Sequence, residues 1–155
     1  GCQGCHNPRL ATANQKSLDF KSMIRGIHAS RMRQQPLLLD TTLYSTAEVQ
    51  YPGNLSNCNA CHVNDSYTLP LATGVLASTY DSGADASNYA DDLMISATTS
   101  VCSSCHDSEI AGTHMLQNGA DFTATQSSSN SESCVICHGP GRISDVSAVH
   151  GLKSE

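Results

Sequence analysis

Hydrophobic residues are sparse along this chain, and the first clear pattern among them is that of a helix. In "SLDFKSMIRGIH", Phe20, Ile24 and Ile27 recur at the spacing of one helical face, and His28 lies beside them on that face. Ser17 is the expected N-cap because its hydroxyl can accept a bond from the first turn. The pattern predicts an amphipathic helix that carries a histidine on its apolar side.

A second stretch, "RISDVSAVHG", combines the same spacing with another histidine. Ile143, Val146 and Val149 form a short apolar stripe next to His150, with Ser144 as the expected N-cap. We therefore predict a second short helix whose apolar side includes a histidine.

In "CHDSEIAGTHM", two histidines, His106 and His114, are eight residues apart. Within one helix they would lie on nearly the same side, about 12 Å apart along the axis. That separation is too long for two ligands of one metal ion. It predicts that the two histidines serve neighbouring sites.

The rest of the chain has few periodic stretches. Residues 64–100 are rich in Ser, Thr, Ala and Asp and are predicted to be irregular, with room for one short helix. Only 39% of the 155 residues are hydrophobic, with two Phe and no Trp. Side chains alone supply little apolar volume for a core of this length. We therefore expect mostly coil with short α-helices, few strands and a non-protein group in the core.

The cysteines indicate what that group is. All eight fall into four C-x-x-C pairs, each followed at once by a histidine: "CQGCH" at 2–6, "CNACH" at 58–62, "CSSCH" at 102–106 and "CVICH" at 134–138. This run is the attachment sequence of c-type haem. The two thiols add to the vinyl groups of one porphyrin, and the next residue lies under the ring, where its imidazole binds the iron.

Four such motifs predict a multihaem c-type cytochrome with four covalent haems c. The expected thioether donors are Cys2, Cys5, Cys58, Cys61, Cys102, Cys105, Cys134 and Cys137. The expected proximal iron ligands are His6, His62, His106 and His138. Four porphyrins would supply the missing apolar bulk, and covalent attachment implies assembly outside the cytoplasm.

Other uses of C-x-x-C pairs explain less of the sequence. Two pairs can build a zinc site with four cysteine ligands, but that interpretation leaves the four following histidines without a role. A thioredoxin-like dithiol is expected near a βαβ pattern, which the sequence lacks.

Haem iron has a second axial position, and three histidines remain to fill it. His28, His114 and His150 are the candidate distal ligands, one fewer than four haems require. Three explanations stay open: a methionine binds one iron and raises its potential, one haem is five-coordinate, or the ligand comes from sequence outside this chain. The candidate methionines are Met23, Met32, Met94 and Met115.

The order of the motifs resembles a known family. The runs "LDFKSMIRGIHAS", "YPGNLSNCNACHV", "VCSSCHDSEIAGTHMLQNGADF" and "ESCVICHGPGRISDVSAVHGL" follow one another as in a pentahaem module of the outer-membrane decahaem cytochromes of metal-reducing bacteria, the OmcA/MtrC family. The resemblance covers most of the chain. It implies extracellular electron transfer through closely spaced, mostly bis-histidine haems, with distal ligation by His28, His114 and His150.

Two departures from the family accompany the missing ligand. Family members commonly have paired histidines in a run like M-I-H-x-I-H, and here Arg25 replaces the first. Family modules also usually carry one more haem motif upstream, with its own distal histidine. Residues 1–155 are therefore predicted to form a single tetrahaem module, either a fragment or a short relative of a pentahaem module.

The resulting hypothesis is electron transfer rather than catalysis, so no catalytic residue is assigned. Expected partners are other multihaem cytochromes or further copies of the chain, with minerals or flavins as acceptors. The expected location is extracellular or at the cell surface, with the periplasm as the alternative. A multihaem reductase with one five-coordinate haem and a conductive filament subunit are the alternative functions.

Charge and hydropathy narrow the hypothesis further. The formal net charge of −6 argues against binding of nucleic acid, and no apolar run of 18 residues predicts a membrane span. We also expect the haem of Cys2 and Cys5 to lie at the edge of the module, where electrons enter or leave.

Overall fold

Short helices separated by irregular backbone form most of the structure. The computed structural model describes residues 1–12, 16–35, 37–40, 44–45, 49–82, 85, 87–125 and 132–152. The α-helices within these ranges are α1 Phe20–His28, α2 Ala97–Ser103, α3 Glu109–Gln117, α4 Cys134–His138 and α5 Val146–Val149. Two single 3₁₀ turns span Cys2–Gly4 and Cys58–Ala60.

The strands of the described ranges are short and pair as two-stranded antiparallel sheets. The pairs are β1 Ala11–Thr12 with β2 Lys16–Ser17, β3 Leu38–Asp40 with β4 Tyr44–Ser45, and β5 Ser78–Tyr80 with β6 Leu93–Ile95. The expectation of mostly coil with short helices is confirmed for this part of the chain. The prediction for residues 64–100 is wrong in one respect, because it foresaw a short helix but missed the β5–β6 pair.

Helix α1 forms where the apolar periodicity predicted a helix, but its N-cap is Asp19 rather than Ser17. The Asp19 carboxylate accepts a bond from the backbone N–H of Lys21 at 3.4 Å. A carboxylate is favoured there because the helix N-terminus carries partial positive charge. Ser17 lies in β2 instead, and its hydroxyl accepts the backbone N–H of Asp19 at 3.3 Å.

The predicted helix before His150 also begins later than expected. The N-cap of α5 is Asp145, whose carboxylate accepts the backbone N–H of Ser147 at 2.9 Å. Helix α3 begins at Glu109 after the N-cap Ser108. His106 therefore precedes α3, and a single helix through His106 and His114 is not formed.

A buried polar network joins α1, β5 and α2. The Ser78 hydroxyl is fully buried and lies 2.7 Å from Oδ2 of Asp19 and 3.1 Å from the hydroxyls of Ser22 and Ser100. Asp19 also forms an ion pair with Lys21. Because these groups bond to one another, they are buried without losing their hydrogen bonds. The network thereby fixes α1 against the helix that carries the third haem motif.

The segment that follows α1 is tied to the third motif by Arg33 and Asp107. The Arg33 guanidinium donates to the backbone oxygen of Ser104 and lies 3.6 Å from the Asp107 carboxylate. That carboxylate accepts the backbone N–H groups of Gln34 at 2.9 Å and Gln35 at 2.7 Å. These bonds set the position of α1 relative to the end of α2.

Many of the large apolar side chains are exposed to solvent. Among the described residues, five hydrophobic side chains are buried and twelve large ones are exposed. Several of the exposed ones lie within or beside the haem motifs and the candidate distal ligands, including Val63, Ile110, Val135, Ile136 and Val149. Exposed apolar surface costs about 25 cal/mol per Å² relative to burial. Apolar groups of the size of a porphyrin would cover this surface.

Candidate haem-binding site

Each C-x-x-C-H motif is one helical turn. In the first three, the backbone N–H of the histidine bonds to the carbonyl oxygen of the first cysteine, at 2.8 Å for His6, 2.8 Å for His62 and 2.9 Å for His106. The fourth motif is helix α4 itself. Positions i, i+3 and i+4 share one face of a helical turn, so both cysteines and the histidine lie on the same side. That arrangement suits attachment of one porphyrin with an imidazole beneath it.

The cysteines are free thiols and do not converge. All eight lie within the described ranges, and none forms a disulfide. In this part of the chain, the one cluster of three or more metal-ligating side chains is Asp81, Asp91 and Asp92, which includes no cysteine. An all-cysteine zinc site needs four thiolates on one ion. The described residues do not form one.

Four of the thiols, those of Cys58, Cys102, Cys105 and Cys134, lack the electrostatic setting of a metal or redox site. Burial raises the pKa of the Cys102 thiol to about 11, and the charge of Cys134 adds to this effect. Burial raises the pKa of Cys58 and of Cys134 as well. Metal-binding and redox-active cysteines have the opposite property, a lowered pKa that favours the thiolate.

Two pairs of histidines face each other at the spacing of two ligands on one iron. The ring centroids of His106 and His150 are 6.0 Å apart, with planes inclined by 66°. Those of His114 and His138 are also 6.0 Å apart, with planes inclined by 86°. Two imidazoles on opposite sides of one metal ion, each bonded at about 2 Å, have centroids about 6 Å apart. These residues therefore fit haem iron.

Backbone carbonyl oxygens fix the orientation of three motif or candidate distal rings. A carbonyl oxygen only accepts hydrogen bonds, so the bonded Nδ1 carries the hydrogen and the Nε2 of the neutral ring keeps its lone pair. Metal-binding histidines are commonly oriented by this kind of contact. The bonds join Nδ1 of His6 to Leu18 at 3.1 Å, Nδ1 of His138 to Ser144 at 3.0 Å, and Nδ1 of His150 to Val146 at 2.8 Å.

The two facing pairs are neighbours. The pKa of His106 is lowered, first by desolvation and then by the charges of His150 and His138. His150 is its own partner in the pair, whereas His138 belongs to the other pair. Since charges act on a pKa mainly at short range, the second pair lies near the first.

His62 has an arginine at its Nε2 atom. Nη2 of Arg25 donates to Nε2 of His62 at 2.9 Å, and Nη1 donates to the backbone oxygen of Lys21 at 2.9 Å. Nδ1 of His62 lies 3.1 Å from the Ser66 hydroxyl and is the donor there, because Nε2 accepts from Arg25. Desolvation and then the Arg25 charge lower the pKa of His62. Both effects favour a neutral ring.

His28 and His6 lie near opposite ends of α1. The His28 ring, at the last residue of the helix, has its centroid 4.7 Å from that of Tyr51. The backbone oxygen of His6 accepts the N–H of Phe20, the first residue of the helix, at 3.1 Å. Cys2 and Cys5 are exposed. The edge position of their haem and ligation by a methionine remain predictions.

Sequence reasoning missed the groups that orient the rings. The carbonyl oxygens of Leu18, Ser144 and Val146 belong to the backbone, and no residue type identifies them. The Arg25 contact with His62 joins distant positions, and its one sequence signal is the arginine in place of a histidine in the family's paired run. That signal marked the position of the contact but not its partner.

Four attachment turns and two facing histidine pairs are the features of a multihaem c-type cytochrome. The sequence matches the family of outer membrane cytochromes described as MtrC/MtrF-like, domains II/IV, over residues 1–151, and the chain belongs to this family. The resemblance seen in the sequence is thus confirmed. No curated protein gave a match.

Family membership indicates c-type haem, redox partner cytochromes and electron transfer at or outside the outer membrane. Within the ranges that the structure describes, no helix combines the length and hydrophobicity needed to cross a membrane.

Proposed function

We propose that this chain binds four haems c and conducts electrons through them between redox partners outside the cell. The observation that carries the proposal is the 6.0 Å centroid spacing in both facing pairs, His106 with His150 and His114 with His138. Each pair joins a motif histidine to a histidine outside the motifs. The same spacing in both pairs supports bis-histidine ligation of the two corresponding haems.

Each motif would hold one haem through its two cysteines. His106 and His150 would be the axial ligands at the third motif, and His138 and His114 at the fourth. Bound c-type haem supplies one-electron redox chemistry, which the side chains here lack. The chain's own part is to hold the rings close together and to set their potentials through ligand identity and burial.

We assign His28 to the haem of the first motif. Of the four motif histidines, His106 and His138 already face partners, and Nε2 of His62 is occupied by Arg25. That leaves His6, which lies at the other end of α1 from His28. Phe20, whose N–H bonds to the backbone oxygen of His6, lies about 12 Å along the helix axis from His28, a span that leaves space for a haem.

We further propose that the third motif links the second and fourth. The Arg25 guanidinium contacts His62 of the second motif, and its charge acts on Cys102 of the third. The charge of Cys134, in the fourth motif, also acts on Cys102. The second and the fourth motif are thus each within electrostatic reach of the third, which supports a continuous chain of haems.

The expected acceptors are flavins or minerals, and the expected protein partners are other multihaem cytochromes or further copies of this chain. Bound haems bring propionate groups, which add negative charge to a chain that already carries −6. Association with an acidic partner should therefore be weaker at low ionic strength, where the repulsion between like charges is less screened.

Rapid-mixing absorbance tests the proposal. The haem-loaded chain is fully reduced and then mixed with excess flavin mononucleotide. We expect the complete c-haem absorbance change to reverse, with four electrons delivered per chain. The Cys134→Ala, Cys137→Ala double variant, which lacks one attachment site, should deliver three. Reoxidation of a single haem while the others stay reduced would contradict an electron-conducting chain.

A further inference from the structure

We propose that the haem of Cys58 and Cys61 has no histidine opposite His62, and that Arg25 there binds a small inorganic anion at the open iron position. The inference rests on the proposed function, because it takes a haem at this motif as given. It also states where the eighth axial ligand is missing.

The contact at Nε2 distinguishes this motif from the third and fourth. At His106 and His138, the ring faces another imidazole with centroids 6.0 Å apart. At His62, the Nε2 lone pair accepts a bond from Arg25 at 2.9 Å. The protonated guanidinium has no lone pair to offer iron. The residue on the iron-binding side of His62 is therefore not a ligand.

His28 does not take this place. It follows Arg25 by three residues on α1, close enough in sequence to be considered for the same iron. Its ring instead lies against Tyr51, with centroids 4.7 Å apart. Arg25 is the α1 side chain that reaches His62.

Arg25 has the properties of an anion-binding group. Its Nη1 is fixed by the backbone oxygen of Lys21 at 2.9 Å, which directs the remaining donors toward the second motif. In the described ranges, the ion pairs are Lys21 with Asp19 and Arg33 with Asp107, and no carboxylate pairs with Arg25. Within these ranges, no carboxylate therefore competes with an added anion for the Arg25 guanidinium.

The chemistry of the guanidinium selects the ligand class. Its coplanar N–H groups match the oxygens of a small oxyanion such as nitrite, and charge-assisted bonds are stronger than neutral ones. An anion bound to the iron would receive donation from the group that now donates to Nε2 of His62. A neutral diatomic ligand would gain little from Arg25.

A simpler role for Arg25 is to pair with a porphyrin propionate, and the two roles predict different ligand binding. A propionate partner leaves the number of open irons unchanged when Arg25 is replaced. An arginine at an open position gives a binding site whose anion affinity depends on Arg25. Arg25→His, which restores the family's histidine, would close that site.

The test measures binding of carbon monoxide to the reduced haem-loaded chain and of azide and nitrite to the oxidised chain. We expect one carbon monoxide per chain and one high-spin haem among four. Arg25→His should abolish both. Arg25→Gln should retain the carbon monoxide but weaken azide and nitrite binding by about tenfold, the loss of one charge-assisted bond. Arg31→Gln is the matched control, because Arg31 is exposed and donates to Gln50.

Three results would overturn the inference: no carbon monoxide uptake by the native chain, uptake that survives in Arg25→His, or anion affinity unchanged in Arg25→Gln. The carbon monoxide stoichiometry of the native chain and the anion affinity of Arg25→Gln test the inference even if Arg25→His binds haem poorly. Haem content is measured in every sample. A native chain with four haems and no open iron refutes this inference alone, whereas fewer than four haems refutes the proposed function.

Discussion

The imidazole of His150, at the C-cap of α5, faces that of His106, which lies three residues after the end of α2, with ring centroids 6.0 Å apart. Nδ1 of His150 donates to the backbone oxygen of Val146 at 2.8 Å, so Nε2 of the neutral ring keeps its lone pair. Two distant parts of the chain thus bring together two imidazoles at the spacing that the proposed bis-histidine ligation requires.

Replacing His150 with alanine should convert one haem of four from low spin to high spin. The reason is that the iron beside His106 loses its sixth ligand while the cysteines still hold the porphyrin. Electron paramagnetic resonance of the oxidised chain measures the change. Val149→Ala, in the same helix and largely exposed, is the control and should retain the native spectrum. An unchanged low-spin signal in His150→Ala would show that His150 is not a ligand.

Replacing His114 with methionine should raise the potential of one haem, that of the fourth motif. A thioether favours reduced iron relative to imidazole, and a shift on the order of 100 mV is within the roughly 0.8 V that axial ligands span. A redox titration followed by haem absorbance measures it, and a sulfur-to-iron band should appear. A potential that does not move would place His114 outside the axial position.

The Ser78→Ala variant should lower the free energy of unfolding by about 1.5–3 kcal/mol, because it removes a hydrogen bond to the buried Asp19 carboxylate. Guanidinium unfolding of the haem-loaded chain measures the loss. The control is Ser87→Ala, an exposed serine bonded to Asp85 at 2.6 Å, which should stay within about 0.5 kcal/mol of the native value. If the two variants are equally stable, the hydrogen-bond network of Ser78 does not help to hold α1 in place.

The Ser66→Ala variant should raise the potential of the second-motif haem. The Ser66 hydroxyl accepts from Nδ1 of His62, and this contact makes the ring a stronger donor to oxidised iron. Its loss should favour the reduced form by roughly threefold to tenfold, where tenfold is about 59 mV. Ser56→Ala, whose hydroxyl bonds to Asn54, is the control in the same loop. A lower potential in Ser66→Ala would contradict this direction of donation and would indicate that the Ser66 hydroxyl does not strengthen His62 as a ligand.

The sequence predicts the parts of this molecule that depend on short spacing. Each of the four C-x-x-C-H runs in this chain is one helical turn, and α1 follows from the spacing of Phe20, Ile24 and Ile27. The N-cap residue of α1 was harder to predict, since Ser17 and Asp19 are both good N-caps. Pairing of Ser17 within β2 decides in favour of Asp19.

Contacts between residues far apart in the chain could not be predicted from one sequence. The β5–β6 pair is bracketed by polar segments; Ser78 and Thr79 are buried, and the Ser78 hydroxyl bonds to the Asp19 carboxylate. The meeting of Arg25 with His62 depends on how α1 is held against the second and third motifs. The hydrophobic pattern gives no information about such contacts, because Arg25, His62 and the Asp19–Ser78 bond are polar.

The most direct test of the four-haem electron-transfer account is coulometric titration of the purified chain with simultaneous haem absorbance. We predict that the chain takes up four electrons reversibly, and that every electron is accompanied by the absorbance change of a c-type haem. Uptake of fewer than four electrons, or uptake without the haem bands, would contradict the account.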